Sequence, residues 1–203
     1  MASAHLPDGP SPLVSAKIVI AGGFGAGKTT LVGTISEIAP INTEAWMTAA
    51  SESVDPIGPR DKTTTTVAMD FGRLTIASDL VLYLFGTPGQ ARFWPMWDDL
   101  SRGALGALVL VDTRQLDVSF AAVNYFEQDS DVPFVVCVNL FDGMLSHHLD
   151  DVRQALALGD HVPLIACDAR ARPQVAGALL TVVEHAMNRD GRHHRSGSPL
   201  LRG

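Results

Sequence analysis

Hydrophobic and polar residues form two kinds of segment along the chain. Short runs that are almost entirely apolar alternate with longer stretches in which apolar residues recur every three or four positions. The first kind is typical of strands covered on both faces, and the second is typical of amphipathic helices. The predicted strands are Ala16 to Ala21, Thr66 to Phe71, Val81 to Phe85, Ala107 to Val111, Phe134 to Val138 and Leu164 to Ala166. The predicted helices are Lys28 to Ile38, Gln90 to Arg102, Val118 to Gln128, Leu149 to Ala157 and Gln174 to Met187.

This alternation of strands and helices predicts an α/β domain with a mostly parallel sheet. The second and third predicted strands follow each other closely, which favours a hairpin and therefore one antiparallel strand. The region Ala39 to Thr65 contains Pro, Ser, Thr and charged residues without a sustained period. We expect a long loop there, and loops of that length are usually functional or disordered.

Length and composition indicate one domain. The chain has 203 residues, of which 46% are hydrophobic, enough for one core. We expect a domain at 14–188 between disordered tails at 1–13 and 189–203, because both ends lack apolar periodicity. The net charge of −7 argues against binding nucleic acid or anionic lipid through a broad basic face.

The chain shows no pattern for export or membrane insertion. Its first residues lack the basic and apolar parts of a secretory signal, and its longest apolar runs are far shorter than the roughly 20 residues that span a bilayer. Cys137 and Cys167 lie in apolar segments, which favours buried free thiols in a reducing compartment. The prediction is a cytoplasmic protein.

A phosphate-binding motif follows the first predicted strand. Gly22, Gly27, Lys28 and Thr29 fit the pattern G-x-x-x-x-G-K-[ST], with a strand before it and a helix after it. Glycines let the backbone curl so that successive N–H groups point at one phosphate, Lys28 reaches the β and γ phosphates, and the Thr29 hydroxyl ligates Mg²⁺. The predicted phosphate-binding residues are Gly23, Phe24, Gly25, Ala26, Gly27, Lys28, Thr29 and Thr30.

The segment T-P-G-Q, directly after the third predicted strand, resembles the second switch of Ras-like small GTPases. The resemblance implies that the Gly89 amide contacts the γ-phosphate and that Gln90 orients the attacking water. Gly86 stands where that family usually has a Mg²⁺-associated aspartate. The chain is most similar to bacterial GTPases of the gliding-motility MglA type and of actinobacterial conservons (CvnD type), which also depart from the aspartate form.

Four consecutive threonines, Thr63 to Thr66, precede the second strand. In the GTPases that the chain resembles, one threonine of the first switch binds Mg²⁺ and senses the γ-phosphate. The MglA-type pattern points to Thr66, whereas Ras-like spacing points to Thr64. With Thr66, the implied metal ligands are Thr29 and Thr66, and the implied catalytic residues are Gln90, Lys28 and Thr66.

Two later segments resemble the loops that read guanine in this family. Asn139 and Asp142 form N-x-x-D, in which the aspartate accepts hydrogen bonds from the guanine edge and the asparagine braces the pocket. Leu140 replaces the usual lysine. Ala166 and Cys167 match the last nucleotide loop, with the Cys167 amide implied to meet guanine O6.

The resemblance implies a P-loop NTPase with a Ras-like G domain, in which a six-stranded, mostly parallel sheet with one antiparallel strand has helices on both faces. It implies a switch that binds GTP and GDP with Mg²⁺ and hydrolyses GTP slowly. The implied partners are a roadblock-type regulatory protein and a sensor-kinase-like protein, through which the protein could be recruited to a membrane.

Two other functions stay open at this stage. Gly86 and Leu140 suggest a nucleotide-binding interaction protein with little or no hydrolysis. The second open function is a P-loop ATPase, in which Asp112 would be the Mg²⁺ partner. We favour a turn or helix-capping role for Asp112, because aspartates that follow strands commonly have that role. An arginine finger could come from Arg60, from Arg92 or from a partner in trans.

Overall fold

The computed structural model describes residues 13–39, 41–47, 65–89, 91–141 and 143–196. These residues form one seven-stranded sheet with the order β2-β3-β4-β1-β5-β6-β7. The strands are β1 (Val14–Gly22), β2 (Ile41–Met47), β3 (Thr65–Ala77), β4 (Leu80–Gly86), β5 (Gly106–Val111), β6 (Phe134–Asn139) and β7 (Leu164–Cys167). The α-helices are α1 (Lys28–Ile35), α2 (Trp97–Ser101), α3 (Phe120–Asn124), α4 (Leu149–Ala155) and α5 (Arg172–Ser196).

The sheet is mostly parallel, which confirms the predicted α/β class. Only β3 among the described strands runs antiparallel to its neighbours, β2 and β4, and the predicted hairpin is β3–β4. The other strand pairs are parallel. All strands except β3 therefore end at the same edge of the sheet.

The sheet has one more strand than predicted. β2 lies inside the segment that the sequence predicts as an irregular loop, and it pairs with β3 from Ile41 opposite Phe71 to Met47 opposite Thr65. The sequence of β2 shows no clear alternation of apolar and polar residues. Its described strand partner is β3, at the outer edge of the β3–β4 hairpin. An edge strand of this kind depends on a distant partner strand rather than on its own pattern. Residues 48–64 lie outside the described part of the chain.

The central strand β1 shows why its sequence is apolar without alternation. Ile18 and Ile20 point into the cluster formed with α1 and α5, while Val19 and Ala21 point into the cluster with α3 and α4 on the other face. All four side chains are fully buried. A strand with helices on both faces needs apolar residues at every position.

Two predicted helices are interrupted. The stretch predicted as Gln90 to Arg102 begins as a 3₁₀ helix at Ala91–Met96, which contains Pro95, and continues as α2. The stretch predicted as Val118 to Gln128 comprises a 3₁₀ turn, α3 and a π-helical turn at Tyr125–Asp129. Proline removes a backbone donor and narrows its own φ, so a regular α-helix starts only after it.

The last helix is longer than predicted. α5 continues to Ser196, whereas the sequence places the end of the helix at Met187 and a disordered tail from residue 189. Helical hydrogen bonding therefore extends into a polar stretch that has no apolar periodicity. Residues 1–12 and 197–203 lie outside the described chain.

Among the helices that the structure describes, none is long and apolar enough to cross a membrane.

Two adjacent leucines of α5 test the packing of this helix. Leu179 is 1% exposed in the core, and Leu180 is 57% exposed. We expect Leu179→Ala to lower the free energy of unfolding by about 2–5 kcal/mol, because the substitution leaves a cavity. Leu180→Ala should change it by less than about 0.5 kcal/mol. Urea denaturation measures both, and equal losses would contradict the burial of the Leu179 face.

Candidate functional site

The candidate residues lie where parallel strands end. The phosphate motif follows β1, the T-P-G-Q segment follows β4, and the N-x-x-D segment follows β6. Since β4, β1, β5, β6 and β7 are neighbouring parallel strands, their carboxyl ends meet at one edge. Open α/β sheets bind their ligands at this edge.

The phosphate motif forms a loop whose shape requires glycine. Gly22, Gly25 and Gly27 have positive φ angles of 137°, 78° and 103°. A side chain at Gly22 would collide with the carbonyl oxygen of Leu110 on β5, and one at Gly27 would collide with the amide nitrogen of Asn139. The loop is thus held against the ends of β5 and β6 by contacts that only a bare backbone allows.

Lys28 is buried under this loop. The side chain is 8% exposed, and its Nζ donates to the carbonyl oxygens of Gly22 at 2.8 Å and Gly23 at 2.6 Å. Burial lowers the pKa of Lys28 to about 8, although the nearby Asp70 carboxylate acts in the opposite direction. A buried cation among backbone carbonyls is suited to binding an anion.

Asp70, on β3, was missed by the sequence analysis. The Thr29 hydroxyl donates to Asp70 Oδ2 at 2.7 Å, which links the phosphate motif to the antiparallel strand. The only signal in the sequence is a carboxylate within the predicted strand Thr66 to Phe71, and nothing in its spacing indicates contact with Thr29, 41 residues earlier. The hydroxyl and carboxylate oxygens are donors that suit Mg²⁺.

Gly86 lies beside the same aspartate. A Cβ built on Gly86 would lie 2.9 Å from Asp70 Cβ and 3.1 Å from its Oδ2. The absence of a side chain at residue 86 therefore makes room for Asp70.

Gly89 lies against the phosphate loop. A Cβ at this position would be 2.6 Å from the Phe24 backbone nitrogen and 2.8 Å from Lys28 Nζ. The T-P-G segment and the phosphate loop are therefore in direct contact. They must lie this close together if both are to bind the same phosphate chain.

Asn139 connects three loops. Its Nδ2 donates to the Ala26 carbonyl oxygen at 3.0 Å, and its Oδ1 accepts from the Ala169 N–H at 3.1 Å. The side chain is buried, and both of its polar ends are satisfied. It fixes the loop after β6 relative to the phosphate loop on one side and the loop after β7 on the other.

Ala166 and Cys167, predicted as part of a nucleotide-binding loop, are instead the last two residues of β7, where they pair with Val138 and Asn139 of β6. The Cys167 carbonyl oxygen accepts from the Leu140 N–H at 2.9 Å. Both cysteines are free and buried, as predicted, and their Sγ atoms are 3.2 Å apart. Hydrogen bonding between the thiols and burial together raise the pKa of Cys137. Both cysteines belong to the core below the site.

Asp112 is a turn residue, the interpretation that the sequence favoured. Its carboxylate accepts from the Arg114 backbone N–H and, at 2.9 Å each, from Arg114 Nε and NH2. Burial opposes the charge of Asp112, but the hydrogen bonds from Arg114 outweigh it and lower the carboxyl pKa. The Arg114 guanidinium also lies over the Phe141 ring, 3.6 Å from its centroid.

Several predicted site residues stay predictions. Gln90 and Asp142 lie outside the described residues, as do Thr63, Thr64 and Arg60. Thr66 lies in β3 opposite Trp46, but only its backbone is described. The Arg92 side chain is likewise outside the description.

Two solved structures with similar folds are a G domain and a small GTPase. The chain superposes on the G domain of the T. maritima FeoB iron transporter with a TM-score of 0.58, at 15% identity, covering 85% of this chain and 99% of that one. For the Arl6 BBS3 small GTPase from Trypanosoma brucei, with a bound nucleotide analogue GppNp, the TM-score is 0.60 at 17% identity, with 86% and 99% covered. At these identities the likeness concerns the fold, and it agrees with the predicted Ras-like sheet.

A curated relative is an uncharacterized protein, MJ1339, of Methanocaldococcus jannaschii, which is 33% identical over 99 residues. The match covers 49% of this chain and 52% of the relative, so the chain spans about half the length of that protein.

The model of one protein family matches residues 20–189, which include the phosphate loop and all the strand ends described above. The chain therefore belongs to the family described as conserved hypothetical ATP binding proteins.

Proposed function

We propose that the protein is a guanine-nucleotide-binding switch that hydrolyses GTP to GDP. The observation that supports this most strongly is that the Asn139 side chain donates to the Ala26 carbonyl oxygen and accepts from the Ala169 N–H, which joins the phosphate loop to the two segments proposed to contact the base. A P-loop NTPase whose base loops are fixed to its phosphate loop can bind phosphates and purine at defined positions.

The phosphate chain binds to the loop between β1 and α1. Backbone N–H groups of Gly23, Phe24, Gly25, Ala26, Gly27, Lys28, Thr29 and Thr30 surround it, and the N-terminus of α1 favours its negative charge. Lys28 exchanges its two carbonyl partners for β and γ phosphate oxygens. The Gly89 amide, already against the phosphate loop, contacts the γ-phosphate.

The base binds between the loops after β6 and β7. Asp142 accepts hydrogen bonds from guanine N1 and N2, an edge that adenine does not present, and the Cys167 amide next to Ala166 donates to O6. Leu140 packs against the base in place of the usual lysine, so it keeps the apolar contact but not the charged one. Asn139 acts by holding these loops in place.

The Thr29 hydroxyl beside the Asp70 carboxylate offers oxygen atoms that suit a Mg²⁺ ion, and Thr29 and Thr66 would be its ligands. When bound, Mg²⁺ would supply positive charge that offsets the charge developing on the phosphates during transfer. Gln90 orients the attacking water, while Lys28 stabilises charge on the phosphates. Contacts from Thr66 and Gly89 to the γ-phosphate order the two switch segments, and hydrolysis releases them.

The protein partners follow from the resemblance to the MglA and conservon GTPases. They are a roadblock-type regulator and a sensor-kinase-like protein, with the GTPase itself cytoplasmic and recruited to a membrane by a partner. A partner could also supply an arginine finger. These proposals rest on that resemblance alone.

A second candidate is a P-loop ATPase, which the description of the family as ATP binding favours. A third is a nucleotide-binding protein without hydrolysis, which Gly86 favours. Competition between GTP and ATP for binding distinguishes a GTPase from an ATPase. Single-turnover kinetics distinguish a GTPase from a protein that only binds nucleotide.

Competition between nucleotides tests the guanine preference. We expect GTP to displace a fluorescent GDP analogue at concentrations at least about 100-fold lower than ATP, because an unsatisfied base-reading carboxylate disfavours adenine. Asp142→Asn should remove most of this difference, while Asp160→Asn on the surface should not. Equal displacement by GTP and ATP in the unmodified protein would contradict guanine specificity.

Single-turnover hydrolysis tests the enzymatic proposal. The unmodified protein should convert bound GTP to GDP slowly, with a rate constant on the order of 10⁻⁴ to 10⁻² s⁻¹. Gln90→Leu should abolish turnover without weakening GTP binding, since glutamine acts on the water and not on the nucleotide. GTP that stays intact on the unmodified protein would instead support the protein that only binds nucleotide.

The pKa of Lys28 predicts how binding depends on pH. With a pKa of about 8 in the free protein, Lys28 is charged below this pH and loses its proton above it. Phosphate raises this pKa, so binding takes up a proton above pH 8. GDP affinity should therefore be constant between about pH 6.5 and 7.5 and then fall, by up to about tenfold per pH unit.

Calorimetric titration with GDP over this range and up to about pH 9 measures the effect. Lys28→Met is the control, because it retains any pH dependence that comes from the nucleotide or from other groups. A slope that is the same in both proteins would show that Lys28 does not cause it.

A further inference from the structure

We propose that Arg114, in the turn after β5, positions the base-reading segment after β6 by stacking its guanidinium on the ring of Phe141. This inference rests on the proposed nucleotide function, in which Asp142, the next residue in the chain, accepts hydrogen bonds from guanine. Arg114 is then a positioning residue. It acts through Phe141 and sets how well the protein distinguishes guanine from adenine.

The Arg114 side chain has a fixed direction. Its Nε and NH2 donate to the two carboxylate oxygens of Asp112 over 2.9 Å each, and its backbone N–H donates to Asp112 Oδ1. The Asp112 side chain is 4% exposed and follows directly on the buried strand β5. Two parallel hydrogen bonds to one buried carboxylate set the plane of a guanidinium, whereas a single contact would let it rotate.

Phe141 lies against this plane. The guanidinium carbon of Arg114 is 3.6 Å from the centroid of the Phe141 ring, a distance at which a cation and an aromatic face are in van der Waals contact. Phe141 is partly buried, and 54% of the Arg114 side chain is exposed. Water therefore screens part of the attraction, so we expect an effect in the lower half of the range for cation–π pairs.

A second contact joins the same two segments. The hydroxyl oxygens of Thr113 and Ser146 are 2.9 Å apart, within hydrogen-bond distance. Thr113 precedes Arg114 in the turn after β5, and Ser146 follows Phe141 in the segment after β6. The turn after β5 thus holds the base-reading segment at one residue before Asp142 and at one residue after it.

Asn139 and Arg114 act on different parts of this segment. Asn139 fixes the start of the segment to the phosphate loop. The chain then turns, with the Gly143 N–H donating to the Leu140 carbonyl oxygen at 3.2 Å and a positive φ of 72° at Gly143. The stack of Arg114 on Phe141 supports the middle of that turn. Without the stack, the segment would keep its attachment at Asn139 and lose the support next to the base-reading carboxylate.

Displacement of N-methylanthraniloyl-GDP by GDP and by ADP, in the presence of MgCl₂, tests the proposal on the full chain. Arg114→Ala should weaken GDP binding about 3- to 10-fold, the effect of a partly exposed cation–π contact. ADP binding should be unchanged, because adenine does not use the Asp142 contact. The preference for GDP over ADP therefore falls by the same factor, whereas a general loss of stability would weaken both nucleotides alike.

Variants of Phe141 separate the stack from the turn, because they leave the pair of Asp112 and Arg114 intact. Phe141→Tyr keeps the aromatic face and should bind GDP as the unmodified protein does. Phe141→Leu removes the face and should reproduce the loss of Arg114→Ala. Because the two residues act through one contact, combining Phe141→Leu with Arg114→Ala should weaken GDP binding no further.

Arg102→Ala is the matched control. It also removes one arginine, but the Arg102 side chain is 79% exposed and precedes β5, at the edge of the sheet opposite the proposed site. Both nucleotide affinities should stay unchanged in this variant.

The outcomes are separable. If the unmodified chain binds GDP and ADP equally, the guanine-reading function fails together with this inference. If it prefers GDP, and Arg114→Ala and Phe141→Leu keep that preference or weaken both nucleotides by one factor, only the role of Arg114 is contradicted. Arg114→Ala leaves Asp112 as an unpaired buried carboxylate and could fail to fold. In that case the comparison of Phe141→Leu with Phe141→Tyr decides the question.

Discussion

The structure depends on the close approach of the phosphate loop to the ends of β5 and β6. A Cβ at Gly22 would collide with the Leu110 carbonyl oxygen, and one at Gly27 would collide with Asn139 Nδ2, so neither position has room for a side chain. Both glycines also have positive φ angles, which residues with side chains rarely adopt. Lys28 is held under this loop by its hydrogen bonds to the carbonyl oxygens of Gly22 and Gly23.

Asn139 extends this constraint to the rest of the edge. Since it is buried and uses both its donor and its acceptor, the loops after β6 and β7 cannot shift without leaving a polar group unsatisfied. Asn139 and Ala169 are therefore held close to Ala26 of the phosphate loop. The segment after β4 is held differently, through the packing of Gly89 on Phe24.

Charge at this edge is concentrated in a few partly or fully buried groups. Lys28 is held by backbone carbonyl oxygens and has a lowered pKa, and the Asp70 carboxylate accepts a hydrogen bond from Thr29. A chain with a net charge of −7 can still bind an anion there, because its attraction comes from local amides and one lysine rather than from a basic surface.

The sequence by itself determined the α/β class, the positions of most strands along the chain and the glycine motif. These follow from local periodicity and from backbone requirements within a few residues. It did not reveal β2, whose stability comes from pairing with β3, or the full length of α5. Nor did it reveal Asp70, because only the sheet brings β3 beside α1 and opposite Gly86. Contacts between residues 41 or more positions apart are decided by tertiary structure, since no local pattern encodes which strands become neighbours.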